Sequence, residues 1–359
     1  MPVQNFENLD TNTDVTTTRT LLHEVIPLTG TILSGAYVDG NIKNYTHGMF
    51  QSVYDYPYLS SSANHIFDIT AGYDETSALS SSSSTQNAKK VNIYNQFSQV
   101  LLGYTGSTTD GVRKFENDLT LDGIGAMTEC FFLSFSRLLV KDQIKKGSFS
   151  ITLGTGSWGD PFGQSPYAAN SLRTLTDISS SATAGTTNTI GGDYGLLYVS
   201  DDSTLTGSRG AVQGVVFYQA GIVVLSGSVF EGTTEFYAST VTLATSSLGQ
   251  MLTSSAISGA ADALRHRVKD ISFNNTTEIN SKIYFCRVPH NKYNYSSNPT
   301  YTSGSKIRVK EVASDTPRAY LTTVGLYNSQ NELLATAKVS EPLMKDPSNE
   351  LILRVRLDY

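Results

Sequence analysis

The stretch Gly-Val-Val-Phe-Tyr from Gly214 to Tyr218 runs through Gln219, Ala220 and Gly221 straight into Ile-Val-Val-Leu from Ile222 to Leu225. Two short apolar runs joined by a three-residue, glycine-containing turn read as a β-hairpin. With almost no alternating polar positions, neither face of this hairpin suits water, so the fold has to lay material over both. A chain of 359 residues is long enough to do so, as two domains or as one with large insertions.

Strand patterns recur on either side. Glu24 to Leu28, Thr31 to Val38, Ser148 to Leu153, Tyr194 to Val199, Lys282 to Val288 and Lys306 to Val312 all read as strands. A hairpin is expected from Tyr320 to Tyr327 and Glu332 to Val339 across Asn328 to Asn331. Leu351 to Leu357 alternates cleanly, with Arg354 and Arg356 on one face and Leu353, Val355 and Leu357 on the other.

Helical spacing is limited to three places. Ile93, Phe97, Val100 and Leu101 mark a helix over Ala88 to Leu102 that stops at Gly103. A second helix is expected from Leu119 to Lys146, burying Phe131, Phe135, Leu138, Leu139 and Ile144, with Lys141, Lys145 and Lys146 in its last turn before Gly147. A small one, weakened by Gly259, covers Gln250 to Arg265. The predicted class is mainly β with a few helices (α+β), with antiparallel sheets or a sandwich and long Gly/Ser/Thr-rich loops. Three segments are expected: residues 1–87, extended and ending in the serine-rich linker Leu79 to Thr85; residues 88–270, an α+β domain; and residues 271–359, an antiparallel β region. The Gly/Ser/Thr-rich stretch Gly154 to Asp193 reads as a long loop ordered by a partner. No fixed-period repeat is visible.

Composition narrows the function classes. Only 16% of residues are charged and 39% are hydrophobic, with 20 Tyr and 15 Phe against one Trp, a balance suited to strands and to protein interfaces. The net charge of -6 argues against a nucleic-acid partner, which requires a surplus of Lys and Arg. Of the 26 basic and 32 acidic residues, 14 and 10 fall from Ala260 onward, which leaves 12 and 22 before it. A net +4 tail end on a net -10 body favours docking between copies or with partners, although drift on a solvated surface gives the same numbers. Cys130 and Cys286 sit in apolar segments and are expected to be buried free thiols, with a single disulfide between them as the alternative. No signal peptide is read at Met1 to Asp10, and the apolar run Cys130 to Val140 is too short to span a membrane. A soluble protein made in the cytosol is expected.

Catalytic motifs are sparse. Gly154-Thr155-Gly156-Ser157-Trp158-Gly159 follows a predicted strand and matches a dinucleotide fingerprint, but Asp160-Pro161 stand where that fingerprint needs a helix. His23, His47, His65, His266 and His290 are scattered, and Cys286 and His290 on one strand lie too far apart to share a metal. No catalytic, cofactor-binding or metal site is therefore expected, and no enzyme. A polysaccharide hydrolase stays open as a rival, because the fold could bring two carboxylates together. Arg265-His266-Arg267 with Lys269 reads either as a cationic helix C-terminus or as a contact for an acidic partner. The residues expected at interfaces are Tyr54, Tyr56 and Tyr58, alternating on an extended edge demoted by Pro57; Trp158 in the long loop; and Arg354, Arg356 and Tyr359 at the end.

Several stretches resemble a family of virion structural proteins of T4-like tailed phages, notably those infecting marine cyanobacteria. They are Asp193 to Val199, Gly214 to Ser226, Ile-Ser-Phe-Asn-Asn-Thr-Thr-Glu from Ile271 to Glu278, Ile-Tyr-Phe-Cys-Arg-Val-Pro-His-Asn from Ile283 to Asn291, Tyr293 to Tyr301, and Leu321 to Tyr359. The likeness covers the second half of the chain, is looser over Ala88 to Gly154, and is absent from the first eighty or so residues. It implies a particle component of the tail, baseplate or neck, located in the virion after synthesis in the host cytoplasm. Its partners would be further copies and other virion proteins, without nucleic acid, membrane or cofactor. A capsid decoration protein or a receptor-binding fibre component is the alternative, with host glycan as a further ligand of low expectation.

Overall fold

Val223 and Leu225 point into one apolar cluster and Val224 into another, so the Gly214–Leu225 hairpin is covered on both sides. The same division runs through its neighbours. Phe131, Leu133 and Phe135 face the first cluster while Cys130 and Phe132 face the second; Val216 and Tyr218 face the first while Val215 and Phe217 face the second. A continuous apolar run is the sequence form of such a two-sided strand.

The computed structural model describes residues 6–27, 39–81, 84–105, 111–122, 124–158, 160–162, 172–177, 188–199, 212–230, 236–238, 241–254, 256–296, 301–304, 306–307, 312 and 314–359. Its strands are β1 (Val15–Pro27), β2 (Ile42–Asn44), β3 (Gln51–Tyr54), β4 (His65–Tyr73), β5 (Glu129–Phe135), β6 (Gln143–Ile144), β7 (Ser150–Gly154), β8 (Leu172–Thr176), β9 (Asn188–Thr189) and β10 (Gly192–Val199). They continue with β11 (Val212–Phe217), β12 (Ile222–Ser226), β13 (Phe236–Ala238), β14 (Val241–Ser246), β15 (Val268–Val288), β16 (Thr302–Ser303), β17 (Lys306–Ile307), β18 (Ala319–Tyr327), β19 (Leu333–Lys345) and β20 (Leu351–Asp358). The α-helices are α1 (Thr85–Leu101), α2 (Arg137–Val140), α3 (Leu248–Ser254) and α4 (Ile257–Arg265). The fold is mainly β with a few helices, as the patterns predict.

The chain divides into two compact units: residues 22–277, and residues 1–21 together with 278–359. This division departs from the three consecutive segments read from composition.

In the larger unit one antiparallel sheet runs in the order β15-β7-β8-β10-β11-β12-β5-β4-β3-β2. The ring of Phe135 on β5 meets those of Phe149, just before β7, and Phe273 on β15, with centroids 6.0 and 5.2 Å apart. The inner faces of distant strands therefore share one core. On the outer face, Ile93, Tyr94 and Leu101 of α1 close the second cluster with Phe115, Leu119 and Met127. Ser84 starts α1 by accepting the amide of Asn87 at 3.2 Å. Gly72 lets the helix approach β4: a Cβ there would lie 2.6 Å from the Lys90 carbonyl oxygen.

The helix expected over Leu119 to Lys146 is instead the irregular segment before β5, then β5, the single turn α2 and β6. Short apolar runs fit either period, and Leu138, which helical spacing would bury, is 82% exposed. The stretch Gly154 to Asp193 also contains β8, paired to β7 and β10, and β9; residues 163–171 and 178–187 within it lie outside the described residues. So do all of Thr31 to Val38 and part of Lys306 to Val312.

In the smaller unit, the second half of β15 pairs with β20 from Ser281↔Asp358 to Val288↔Leu351. Strand β18 pairs with β19, and β16 with β17.

Candidate assembly interface

The β18–β19 ribbon is a two-stranded sheet, with no third strand beside it among the described residues. Its base is fixed. Ala319 pairs with Lys345, both are buried, and the Lys345 ammonium donates to the His290 carbonyl (3.2 Å), Asn294 Oδ1 (2.7 Å) and the Asp346 carbonyl (2.7 Å). Burial pushes the Lys345 pKa down, against the pull of Asp346 and Glu350.

Beyond that base the ribbon is open. Val324 faces Ala337 and Leu326 faces Ala335, all only half-buried. The pairs Tyr320↔Met344 and Tyr327↔Leu333, with Leu334, stand between 42% and 67% exposed. An isolated two-stranded ribbon is marginal in water. One that leaves this many apolar side chains exposed has the character of an interaction surface.

Strand β20, paired with β15, carries exposed side chains of its own. Val355 is buried, while Ile352 is 64% exposed beside the exposed Arg354 and Arg356. Arg356 donates to Asp358 (2.7 Å) and to Ser281 Oγ (3.0 Å), and the Ser281 hydroxyl and this guanidinium hold the Asp358 carboxyl below the usual range. Tyr359 is 68% exposed, with the Lys282 ammonium 5.9 Å from its ring centre. The alternation of Leu351 to Leu357 is thus realised. The exposed Tyr320, Leu333, Leu334 and Ile352 are missed by sequence reasoning, although the adjacent pair Leu333-Leu334 breaks the alternation and could have signalled them.

The tyrosine edge is a correction. Only Tyr54 belongs to a strand, and β3 is flanked by β2 and β4 rather than lying at an edge. Asp55 ends it by accepting the amides of Tyr56 (2.8 Å) and Asn64 (2.6 Å), which turns the chain. Tyr56 is 55% exposed, and the Tyr58 ring returns to 6.4 Å from that of Tyr54. Trp158 is half-buried and stacks on His266 with ring centres 3.9 Å apart, so its ring is occupied within the chain.

The basic run is also spoken for internally. Arg265 pairs with Asp262, His266 lies against Trp158, and the fully buried Arg267 donates to the carbonyls of Gly154 (3.0 Å) and Gly156 (2.9 Å). This removes the partner-contact reading of Arg265 to Arg267. It also explains the glycine motif: the loop turns carbonyl oxygens toward a cation, the reverse of the N–H cradle that a phosphate requires.

A cleft of about 620 Å³ opens in the larger unit among Leu79, Met127, Glu129, Ser228, Phe230 and Leu248. Glu129 is the single carboxylate among its described lining residues, and it accepts from the hydroxyls of Ser77 and Thr128. Glycoside hydrolysis uses two carboxyls roughly 5 to 9.5 Å apart, which this lining does not present. Among the described residues no cluster of three His, Cys, Asp or Glu side chains is placed to hold a metal, and no helix is long and apolar enough to cross a membrane. Cys130, buried, and Cys286, half-buried, are both free thiols.

No family model, no curated protein and no solved structure matches this chain.

Proposed function

We propose that the chain is a non-enzymatic structural subunit of a tailed-phage virion, in the tail, baseplate or neck, working through subunit–subunit interfaces. The observation that carries this reading is the β18–β19 ribbon, whose base is locked by Lys345 while Tyr320, Leu333, Leu334 and Met344 are exposed. Packing a neighbouring subunit over the ribbon would bury these side chains at roughly 25 cal/mol per Å² of apolar surface removed from water. The sequence resemblance to virion proteins supports the virion part of this reading; it carries no site residues of its own.

In this role the chain carries load by surface complementarity, and its partners are further copies and other virion proteins. The test is mass-spectrometric detection of the chain in purified particles, together with antibody labelling of intact particles. Label on the tail, baseplate or neck supports the reading, and detection confined to the cell lysate overturns it.

A further inference from the structure

The chain's first described residues lie along the second half of β15, held by polar interactions. The amide of Phe285 donates to the Asp14 carbonyl at 2.8 Å. Three ion pairs flank that bond: Lys292 to Glu7 (2.6 Å), Arg287 to Asp14 (2.7 Å), and Arg19 to Glu278. The paired charges Glu7, Asp14 and Arg19 of the arm read minus, minus, plus, and their partners Lys292, Arg287 and Glu278, taken in the opposite direction along the chain, read plus, plus, minus. All three pairs are satisfied together in one antiparallel register.

Apart from an edge contact of the half-exposed Phe6 ring with Tyr327, centres 5.0 Å apart, what the arm lacks is apolar burial. Thr16 to Thr20 are all exposed, Leu9 and Val15 are only half-buried, and Asp14 is the one buried residue of 6–20. None of these residues belongs to either apolar cluster. A strand held by ladder hydrogen bonds and partly exposed charges gives up nothing that an identical strand from another molecule cannot replace, which is the condition for low-cost strand exchange.

We propose that residues 6–21 form an exchangeable arm that seats on β15 of a second copy of this chain, using the same three ion pairs in trans. The inference concerns the isolated chain in solution and does not depend on the virion reading.

The test uses two full-length variants. One reverses the arm (Glu7→Lys, Asp14→Lys, Arg19→Glu), and the other reverses its seat (Glu278→Arg, Arg287→Glu, Lys292→Glu). Each is mismatched with itself, but a reciprocal pair is complementary at every position. Co-refolding equal amounts is expected to give a one-to-one heterodimer in analytical ultracentrifugation, absent from either variant alone and weakened by added salt. A chain carrying all six changes is the folding control, and it is expected to recover the parent's melting temperature and self-association. A mixture that sediments as the sum of its parts, while the six-change chain is parent-like, overturns the proposal. So does a six-change chain that fails to recover, because the charges would then not place the arm.

Discussion

Arg267, fully buried, donates through Nη1 to the carbonyl oxygen of Gly156 at 2.9 Å and to that of Gly154 at 3.0 Å, tying the glycine-rich turn after β7 to the start of β15. Arg267→Ala leaves two buried carbonyls without this donor and is expected to cost on the order of 3 kcal/mol, with the melting temperature falling by roughly 5 to 10 °C. Arg267→Lys, a point charge in place of a planar fork, is expected to fall between the two. Thermal denaturation followed by circular dichroism measures both, and parent-like melting of Arg267→Ala would contradict the assignment.

His266 gives a pH dependence with a defined sign. Burial against Trp158 pushes its pKa down from 6.5, and the neighbouring cations Arg267 and Arg265 add to this, against the Trp158 carbonyl and Asp262. The folded protein therefore takes up this proton less readily than the unfolded chain. Its stabilising contribution is complete above pH 6.5 and is lost as the pH falls through the lower folded value. Melting temperatures of the parent and His266→Phe, which keeps an aromatic stack, are expected to diverge in slope between neutral pH and pH 5. The parent should lose more stability on acidification; equal slopes would refute this.

Gly72 is a packing requirement. An added Cβ would meet the Lys90 carbonyl oxygen at 2.6 Å and the Tyr94 amide nitrogen at 2.9 Å, both backbone atoms of α1 that cannot rotate away. Gly72→Ala is expected to destabilise by roughly 1 to 3 kcal/mol or more as the helix is pushed off β4. Gly249→Ala, whose added Cβ meets only the end of the Leu79 side chain at 3.3 Å, is expected to stay within about 1 kcal/mol of the parent. Urea unfolding of the two variants side by side reads the difference.

These sites divide by how far apart their partners lie in sequence. The two-sided hairpin was legible because its covering layers are demanded by its own residues, and α1 because Ile93, Phe97 and Leu101 repeat at helical spacing. The run Cys130 to Phe135 was misread as helix because a strand buried on both faces has no period of its own. The burial of Arg267 and the stacking of His266 could not be read. His266 and Arg267 meet Trp158, Gly154 and Gly156 more than a hundred residues away, and a charge run carries no mark of such partners. The tyrosine series failed for a local reason, the Asp55 turn. Exposure of Leu334 and Ile352 is a property of what the fold leaves uncovered, which strand propensity does not report.

That exposure separates assembly from stability. Leu334→Glu and Ile352→Glu alter side chains that are 67% and 64% exposed, so the isolated subunit is expected to melt within about 0.5 kcal/mol of the parent. Incorporation into particles is expected to drop sharply, because each change puts a charge where a neighbour would bury apolar surface. Quantitative mass spectrometry of particles assembled with each variant decides it. Undiminished incorporation would move the interface away from the ribbon and β20.

The most direct test of the account is to ask whether the chain is in the particle. Purified virions are digested for mass spectrometry, and intact virions are labelled with antibody against the folded chain. The account expects peptides at a fixed ratio to the other structural proteins, with label confined to the tail, baseplate or neck. Peptides found only in the infected-cell lysate, with particles that never label, would contradict it and return the chain to the search for a catalytic or host-directed role.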